Sequence, residues 1–368
     1  MSETKKKILL FMPLIGGGGV ERNLFNVANF LSTKFKKIYI CSSSITNRPK
    51  LHKNIVFINK NKNSLKSLAF IYLRSIIVLI KFLLKNKKVT IISFQANIYC
   101  IIISKLLGSR IIVRSNASPS GWVNNFFKKK FFQFILHRSD KLIVNSRNFK
   151  AEMKKTFNIK SELIFNPLNQ KEIRFLSKLK TNIKFFDNYK YLKILNIGRL
   201  TLQKDHMTLL KSLKYIKRKI NFRLLIIGSG LECPKLKNYI KENHLSNNVK
   251  IIKYQKNPFG VFRKADLFIL SSKYEGSPNV LLEAATLKKF IISSDCPTGP
   301  SEILAKGKYG LLFKVGDYKG LAKNILKFHS MKVDKKKIIT NKLYNTLINY
   351  DFQKNLNKYL KLINDTNN

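Results

Sequence analysis

The chain has 368 residues, 45% of them hydrophobic, and its 71 Lys and Arg residues against 19 Asp and Glu residues give a formal charge of +52. This composition excludes an intrinsically disordered chain, and the length suits two domains of about 150 to 190 residues, each with its own core. The charge favours anionic partners, although a chain this rich in Lys, Asn and Ile also fits compositional drift.

The four cysteines, Cys41, Cys100, Cys233 and Cys296, lie far apart and follow no metal-ligand spacing. We therefore expect reduced, structural thiols and no zinc site. The apolar run near the N-terminus is interpreted as a first strand that ends at glycines, not as a signal peptide. Charges interrupt the apolar segment 65–84, which favours an amphipathic helix over a membrane span. The expected location is the cytoplasm.

Short β-branched runs alternate with helical stretches, as in the βαβ units of parallel sheets. In the first half, strands are expected at 6–13, 36–42, 54–59, 89–94, 110–115, 141–146 and 161–167. The pattern lapses around 169–190, which we interpret as a linker. Further strands are then expected at 193–198, 222–228, 249–254, 266–272, 290–295 and 310–315. The sequence predicts an α/β fold of two Rossmann-like, doubly wound domains that face a central cleft.

The first motif is the glycine run Gly16–Gly19, which follows the first expected strand and opens a helix. Glycines allow close approach of a ligand to the backbone, and free N–H groups at a helix N-terminus attract anions. The run lacks the spacing of a dinucleotide-binding fingerprint. A plain strand-to-helix turn is the alternative interpretation.

The second motif, Gly198–His206, directly follows the first strand of the second half. Gly198 ends the strand, and Arg199 and Lys204 then lie at its carboxyl end. Two cations there suit a diphosphate and would offset the charge of a departing one. The alternative is a solvated surface pair, and His206 is expected to cap or pack rather than to catalyse.

The third motif runs from Glu275 to Glu283, after the expected strand 266–272. We expect a helix to start near Ser277 with Pro278 in its first turn, where a missing N–H does no harm. Glu275, on the loop, could accept hydrogen bonds from sugar hydroxyls, and Glu283, on the helix, could hold a ribose diol. The alternative is that both are surface carboxylates.

These motifs together resemble the large retaining glycosyltransferase family with the GT-B fold that includes bacterial hexosaminyl- and galactosyltransferases of capsule, lipopolysaccharide and glycan assembly. The matching elements span nearly the whole chain: residues 16–24, 165–167, 196–206, 224–230, 254–284 and 294–304. The Glu275 and Glu283 pair matches the family's E-x7-E motif.

The resemblance implies an N-terminal acceptor domain at 1–168, with a C-terminal helix at 350–368 packing back on it, and a nucleotide-sugar donor domain at 190–349. It also implies roles for single residues. Arg199 and Lys204 would bind the donor diphosphate, Glu275 the transferred sugar and Glu283 the ribose. The remaining donor-site residues would be Gly16, Gly17, Gly18, Gly198, Ser277, Pro278, Asn279, Val280 and Leu281, with a loop at 297–300 nearby.

The sequence departs from the family at the end of expected strand 110–115, where many members carry His or Asp. Here Arg114 and Asn116 occupy this region and are the expected acceptor contacts. Asn116 is a poor base, which fits a mechanism in which the leaving phosphate takes the acceptor proton. No DxD-type pair follows a strand, so neither a metal nor another cofactor is expected.

Segment 121–138 interleaves the single tryptophan, Trp122, and five phenylalanines with Lys128–Lys130. Aromatic side chains with lysines suit an interfacial helix on an anionic membrane, so we expect peripheral attachment to the inner face of the cell membrane. The alternatives are aromatics packed in a core and, less favoured, single-stranded nucleic acid binding.

The expected function is transfer of a hexose or N-acetylhexosamine from a nucleotide-diphosphate sugar to a lipid-linked or cell-surface glycan. One alternative is a sugar-nucleotide epimerase or phosphorylase-like enzyme of the same fold, which needs no acceptor. The other is a non-enzymatic basic protein that binds membrane or nucleic acid.

Overall fold

The computed structural model describes residues 6–45, 51–58, 67–117, 119, 123 and 125–365. Asn59, at the end of an expected strand, and Trp122 lie outside the described residues. The chain divides into two compact units, which we call the first unit, Met1–Pro167 with Phe352–Asn368, and the second unit, Leu168–Asp351.

Parallel strands form the centre of the first unit. They are β1 (Lys7–Phe11), β2 (Leu14–Ile15), β3 (Ile38–Cys41), β4 (Ser44–Ile45), β5 (Ile55–Phe57), β6 (Val89–Ser93), β7 (Arg110–Arg114), β8 (Lys141–Val144) and β9 (Glu162–Leu163). Seven of them form one sheet in the order β5-β3-β1-β6-β7-β8-β9, while β2 and β4 pair separately. The expected strand 161–167 is reduced to two residues.

Helices cover both faces of this sheet. They are α1 (Gly19–Leu31), α2 (Leu68–Lys85), α3 (Asn97–Leu106), α4 (Phe126–Leu136) and α5 (Arg147–Phe157). Side chains of α2 to α5 share one buried cluster with Leu9 and Phe11 of β1, whereas α1 packs against Ile8 and Leu10. Successive residues of a strand point to opposite faces, so the two helix sets lie on opposite sides. No helix of the described residues is both long and apolar enough to span a membrane.

The second unit repeats this architecture. Its strands are β10 (Leu192–Ile197), β11 (Phe222–Ile227), β12 (Val249–Ile252), β13 (Leu267–Leu270), β14 (Phe290–Ser294) and β15 (Leu311–Phe313). They form a parallel sheet in the order β12-β11-β10-β13-β14-β15. Each lies within a strand expected from the sequence, apart from a residue at the start of β10, because continuous apolar runs are needed where both faces are covered.

The helices of the second unit are α6 (Gln170–Lys178), α7 (His206–Ile216), α8 (Cys233–Glu242), α9 (Phe259–Lys264), α10 (Asn279–Thr286), α11 (Pro300–Ile303), α12 (Tyr318–Ser330) and α13 (Val333–Thr346). Side chains of α7, α8 and α12 join Leu267 and Ile269 in one core cluster. On the opposite face Phe262 of α9 stacks on Phe268 of β13, with ring centroids 5.2 Å apart.

The stretch 169–190, interpreted as a linker from its polarity, contains helix α6. Asn169 caps α6 by accepting from Glu172 N, and its Nδ2 donates to Glu172 Oε2, which is a reciprocal capping arrangement. Asn257 Nδ2 then donates to Leu176 O at 3.0 Å, next to α9. The stretch therefore folds as part of the second unit.

The last helix, α14 (Phe352–Asp365), belongs to the first unit although it follows the second in sequence. Leu356, Tyr359 and Ile363 are buried in the same cluster as α1. The amphipathic spacing of these residues places them on one side of the helix.

Candidate active site

The order of the second sheet reverses at β10 and β13, which are neighbours although β11 and β12 lie between them in sequence. Ladder pairing of these two strands is limited to Ile194–Leu267 and Leu195–Phe268. Beyond it, Asn196 Nδ2 donates to Ile269 O at 2.8 Å. Such a reversal opens a crevice at the strand carboxyl ends, and ligands of doubly wound folds bind there.

An ion pair joins the loops that follow β10 and β13. Lys204 Nζ lies 2.5 Å from Glu275 Oε1, and the two side chains are only 15% and 8% exposed. Ser272 Oγ donates to the same oxygen at 2.6 Å. Glu275 Oε2 makes no hydrogen bond with the described residues, so one carboxylate oxygen is fixed and the other is available to a ligand.

Two glycine-containing loops approach each other closely beside this pair. Gly198 N donates to Ile227 O and Leu200 N to Ser229 O, which extends the pairing of β10 and β11 into their loops. A Cβ atom on Gly228 would lie 1.9 Å from Gly198 O. Glycine is therefore required at Gly228, and the close approach fixes the start of the loop that carries Arg199 and Lys204.

The loop after β14 packs against the loop after β13. Thr298 Oγ1 donates to Glu275 O at 2.7 Å, and a Cβ atom on Gly299 would lie 2.4 Å from Gly276 O. Burial and, second, the Glu275 carboxylate raise the pKa of the Cys296 thiol to about 12. The thiol is therefore protonated, and Glu275 is held by contacts from three successive loops.

Helix α10 begins at Asn279, and Pro278 is its N-cap residue. The expected helix start is thus displaced by a residue or two, with Pro278 before the first turn instead of within it. The first amides of a helix are free of intrahelical partners, although Leu281 N here donates to Pro278 O at 3.1 Å. Glu283 lies on this helix and is 6% exposed, so it is not a surface carboxylate.

Arg199 shares a loop with Lys204 but has a different environment. Its side chain is exposed and forms no hydrogen bond or ion pair with the described residues. Behind it, Thr201 Oγ1 and both ring nitrogens of His206 are buried without a hydrogen-bond partner among those residues. Burial and, second, Lys204 lower the pKa of His206 to about 4, so its ring is neutral. The loop after β10 thus combines an exposed cation with buried polar groups.

The glycine run of the first unit lies at the N-terminus of α1, as expected, with Gly18 at the N-cap position and Gly17 at a φ of 100°. The Glu21 carboxylate packs against it: a Cβ atom on Gly18 would lie 2.7 Å from Glu21 Oε2. A carboxylate at a helix N-terminus is favourable. An acidic group therefore lies within the loop assigned to phosphates, and that assignment stays a prediction.

Known proteins resemble this chain in sequence. Residues 180–345 match the family model described as Glycosyl transferases group 1. An uncharacterised glycosyltransferase of Methanocaldococcus jannaschii is 36% identical over 203 residues, a segment that covers 51% of this chain and 49% of that protein. The N-acetylgalactosamine-N,N'-diacetylbacillosaminyl-diphospho-undecaprenol 4-alpha-N-acetylgalactosaminyltransferase of Campylobacter jejuni is 26% identical over 323 residues, or 84% of this chain and 86% of that protein.

The fold comparison extends over both units. The structure of HepE from Anabaena in complex with UDP and glucose superposes with a TM-score of 0.76 at 15% identity, and covers 98% of this chain and 100% of that one. The second unit carries the match to the glycosyltransferase family, and the fold over both units is that of GT-B glycosyltransferases. For this glycosyltransferase, the Rossmann-like architecture expected from the sequence is confirmed in both units.

Arg114 of this glycosyltransferase does not have the environment expected of an acceptor contact. Its side chain is fully buried, and its guanidinium donates to Tyr359 Oη at 2.9 Å and to Asn166 Oδ1 at 2.5 Å. It also lies 5.7 Å from the centre of the Phe94 ring. A group enclosed in this way cannot reach an acceptor, so the expectation for Arg114 is wrong and its role is to fasten α14.

Asn116 is partly exposed just beyond β7, and its Nδ2 donates to Phe94 O at 2.6 Å. Sequence reasoning missed other polar groups at the same sheet edge of the glycosyltransferase. Ser43 Oγ, Gln95 Oε1 and Asn145 Oδ1 are buried and lack a hydrogen-bond partner among the described residues. Each follows a different strand, β3, β6 and β8. The signal that could have indicated them is a polar residue within two positions of the end of a predicted strand.

In the second unit, sequence reasoning missed Ser272 and expected the loop 297–300 near the donor without singling out Thr298; both residues hold Glu275 in place. Both lie at or near the ends of strands that the sequence predicted, so their positions could have indicated a place in the site. Their hydrogen bonds depend on how three loops fold together, and that is visible only in the structure.

Proposed function

We propose that this glycosyltransferase moves a hexose or N-acetylhexosamine from a nucleotide-diphosphate sugar to a lipid-linked or cell-surface glycan, with retention of anomeric configuration. The Lys204–Glu275 pair at the reversal point of the second sheet carries the proposal. It presents a cation and a carboxylate oxygen side by side, as the diphosphate and the sugar of one donor require.

In the proposed donor site, Arg199 and Lys204 bind the diphosphate. The free Oε2 of Glu275 accepts a hydrogen bond from a hydroxyl of the transferred sugar. Glu283, four residues into α10 from Asn279 and thus about 6 Å along its axis, binds the ribose hydroxyls. The backbone of Ser277 to Leu281 contacts the donor, since the N-terminus of a helix favours anions.

The proposed reaction breaks the bond between the anomeric carbon and the diphosphate oxygen. A bond from the acceptor oxygen to the same face of that carbon forms, and the acceptor proton passes to the leaving phosphate. Arg199 and Lys204 stabilise the charge that develops on the diphosphate. Such electrostatic stabilisation of the transition state is usually the largest single contribution to catalysis. In this scheme neither a protein base nor a divalent metal is required.

The acceptor is proposed to bind the first unit. Asn116 is partly exposed just beyond β7, at the carboxyl edge of the first sheet, and would orient the reacting hydroxyl. A sugar attached to a lipid diphosphate fits the name of the Campylobacter jejuni relative.

The test incubates the purified chain with a panel of nucleotide sugars, with and without a lipid-diphosphate glycan acceptor, and measures released nucleoside diphosphate. We expect acceptor-dependent release with at least one donor. Conversion of the donor sugar without acceptor would instead favour the epimerase alternative. Binding of no nucleotide sugar at all would favour a non-enzymatic basic protein.

The Glu275→Gln variant ties the activity to the site, and we expect turnover to fall about 100-fold or more. Asp187→Asn is the matched control, because it removes the carboxylate from another ion pair of the second unit, Lys264–Asp187. Thermal unfolding of both variants separates lost turnover from lost structure. Equal turnover in Glu275→Gln and Asp187→Asn would remove Glu275 from the site.

A further inference from the structure

Three neighbouring helices of the first unit expose large hydrophobic side chains in rows. On α2 the exposed positions include Phe70, Leu73, Ile77 and Leu84, on α3 Tyr99, Ile102 and Leu106, and on α4 Phe127, Phe131 and Phe134. The spacing within each row is three, four or seven residues, so each row lies along one side of its helix. We call these ten residues the three-helix face.

The same helices also bury apolar residues against the sheet. Leu79 and Leu83 of α2, Ile101 of α3 and Leu136 of α4 all belong to one core cluster. A helix at the surface of a soluble domain normally has one apolar side and one polar side. These helices are apolar on both sides, whereas α5, which is described along its whole length, exposes no large hydrophobic side chain.

The three helices that carry these rows lie side by side. Helices α2 to α4 cover the same face of the sheet, and α3 packs against both α2 and α4. The exposure is high for single residues: Phe127 is 83% exposed and Leu106 is 79% exposed. An exposed apolar surface built from several elements marks an interaction site rather than chance exposure.

The charge around this face has a single sign. Residues 22–139 contain no Asp or Glu, and Lys81, Lys85 and Lys130 are exposed among the apolar rows. Asp140, just after α4, is paired with Lys105 at 2.7 Å. Arg138 lies over the Phe134 ring, 3.4 Å from its centre. The face therefore combines apolar side chains with uncompensated positive charge.

We infer that the three-helix face binds an anionic lipid surface. The helices lie in the plane of the headgroups, the phenylalanines and leucines enter the acyl boundary, and the lysines contact lipid phosphates, as on interfacial helices. A second copy of this chain is a poor occupant, because two faces of the same positive charge repel each other. The inference does not rest on the proposed function.

The structure also changes which residues are responsible. The sequence assigned membrane contact to segment 121–138 alone, of which Trp122 lies outside the described residues. The exposed rows extend the contact to α2, which the sequence assigned to an amphipathic helix, and to α3. A contact spread over three helices predicts that disruption of α2 alone weakens lipid binding while α4 is intact.

The experiment measures co-flotation of the full chain with vesicles of equal parts phosphatidylglycerol and phosphatidylcholine, and with pure phosphatidylcholine as the uncharged arm. We expect binding to the anionic vesicles, weakened but not abolished by high salt. The variant Phe70→Ser, Leu73→Ser, Ile77→Ser on α2 and the variant Phe127→Ser, Phe131→Ser, Phe134→Ser on α4 should each bind at least about tenfold more weakly, since the burial of even one such side chain is worth that much.

A matched control replaces three exposed hydrophobic residues of the second unit, Phe175→Ser, Val333→Ser and Ile338→Ser, and should bind as the unmodified chain does. Fluorescence of the single tryptophan, Trp122, should shift to shorter wavelength with anionic vesicles, including in the control. Circular dichroism of every variant checks folding, and since all substituted residues are exposed, the fold should persist.

Several outcomes would overturn the inference. If the α4 variant loses vesicle binding and the α2 variant binds as the unmodified chain does, the contact is restricted to a single helix. Equal binding by both variants would remove the face from lipid contact. A change from dimer to monomer in sedimentation without vesicle binding would assign the face to a second copy, and displacement of vesicles by single-stranded DNA with no salt-resistant component would assign it to nucleic acid.

Discussion

Lys204 and Glu275, which are 71 residues apart in sequence, form an ion pair of 2.5 Å with both side chains largely buried. A buried pair is costly unless its geometry is good, and a lone member of such a pair costs about 3 to 5 kcal/mol. Lys204 therefore has two roles in the proposed site: it supports the Glu275 carboxylate, and it supplies one of the two cations.

The Lys204 and Arg199 variants should consequently differ in kind. Arg199→Ala should lower kcat/KM by an amount that corresponds to about 2 to 4 kcal/mol of lost transition-state stabilisation. The stability of the fold should not change, because the Arg199 side chain is exposed and unpaired among the described residues. Lys204→Ala should reduce both kcat/KM and the free energy of unfolding. Because both cations would serve one diphosphate, the loss in the double variant should be smaller than the sum. Steady-state kinetics with thermal unfolding decide the matter, and small, additive effects would contradict the shared role.

Glu283→Gln should mainly weaken nucleotide binding, since a ribose contact is made in both ground and transition states. Calorimetric titration with the nucleoside diphosphate measures this without an acceptor. Glu302→Gln, another carboxylate of the second unit, is the control and should bind normally. Unchanged affinity in Glu283→Gln would mean that the ribose is held elsewhere.

Activity should survive excess chelator, because Arg199, Lys204 and the N-terminus of α10 would stabilise the leaving diphosphate in place of a metal. The product anomer, determined by NMR, should match the α linkage of an α-linked donor. Activity restored only by magnesium or manganese would contradict the cation mechanism. A β product from an α donor would contradict retention.

His206 should make stability depend on pH. Its pKa is lowered to about 4 in the folded chain against 6.5 for an unperturbed ring, so the unfolded state binds the extra proton between these values. Stability from this group is thus full above pH 6.5 and falls by about 3 kcal/mol as the pH drops to about 4. Urea unfolding of His206→Phe should lack this part of the slope, whereas His329→Phe, at an exposed position, should keep it. Parallel slopes for the wild type and His206→Phe would contradict the assignment.

Tyr359→Phe should cost about 1.5 to 3 kcal/mol, because it removes a hydrogen-bond acceptor from the buried Arg114 guanidinium. The same substitution in an Arg114→Met background should cost much less, since no buried charge then needs the hydroxyl. Urea unfolding of the four chains measures the coupling. An equal cost in both backgrounds, or a raised acceptor KM in Arg114→Met with unchanged stability, would return Arg114 to the acceptor site.

Much of the fold was readable from the sequence. The runs that became β6 and β14 are rich in β-branched residues and free of charge, and burial on both faces suits such runs. The glycines and the Glu275–Glu283 spacing follow predicted strands, and parallel strands bring their carboxyl ends to one edge. The sequence therefore determined both parallel sheets and the loops that carry the candidate donor site.

Tertiary structure decided which side chains meet at the same edge of a sheet and which are buried under other elements. Arg114 and Asn116 are two residues apart, yet one is enclosed by Tyr359 of α14 and the other is partly exposed. The Lys204–Glu275 pair depends on β10 and β13 being neighbours, which the order of the sequence does not state. Likewise, the sequence does not distinguish Phe127 from a phenylalanine of the core, and only the position of α4 against the sheet leaves it in solvent. Burial is a property of all the elements around a residue, so no local pattern fixes it.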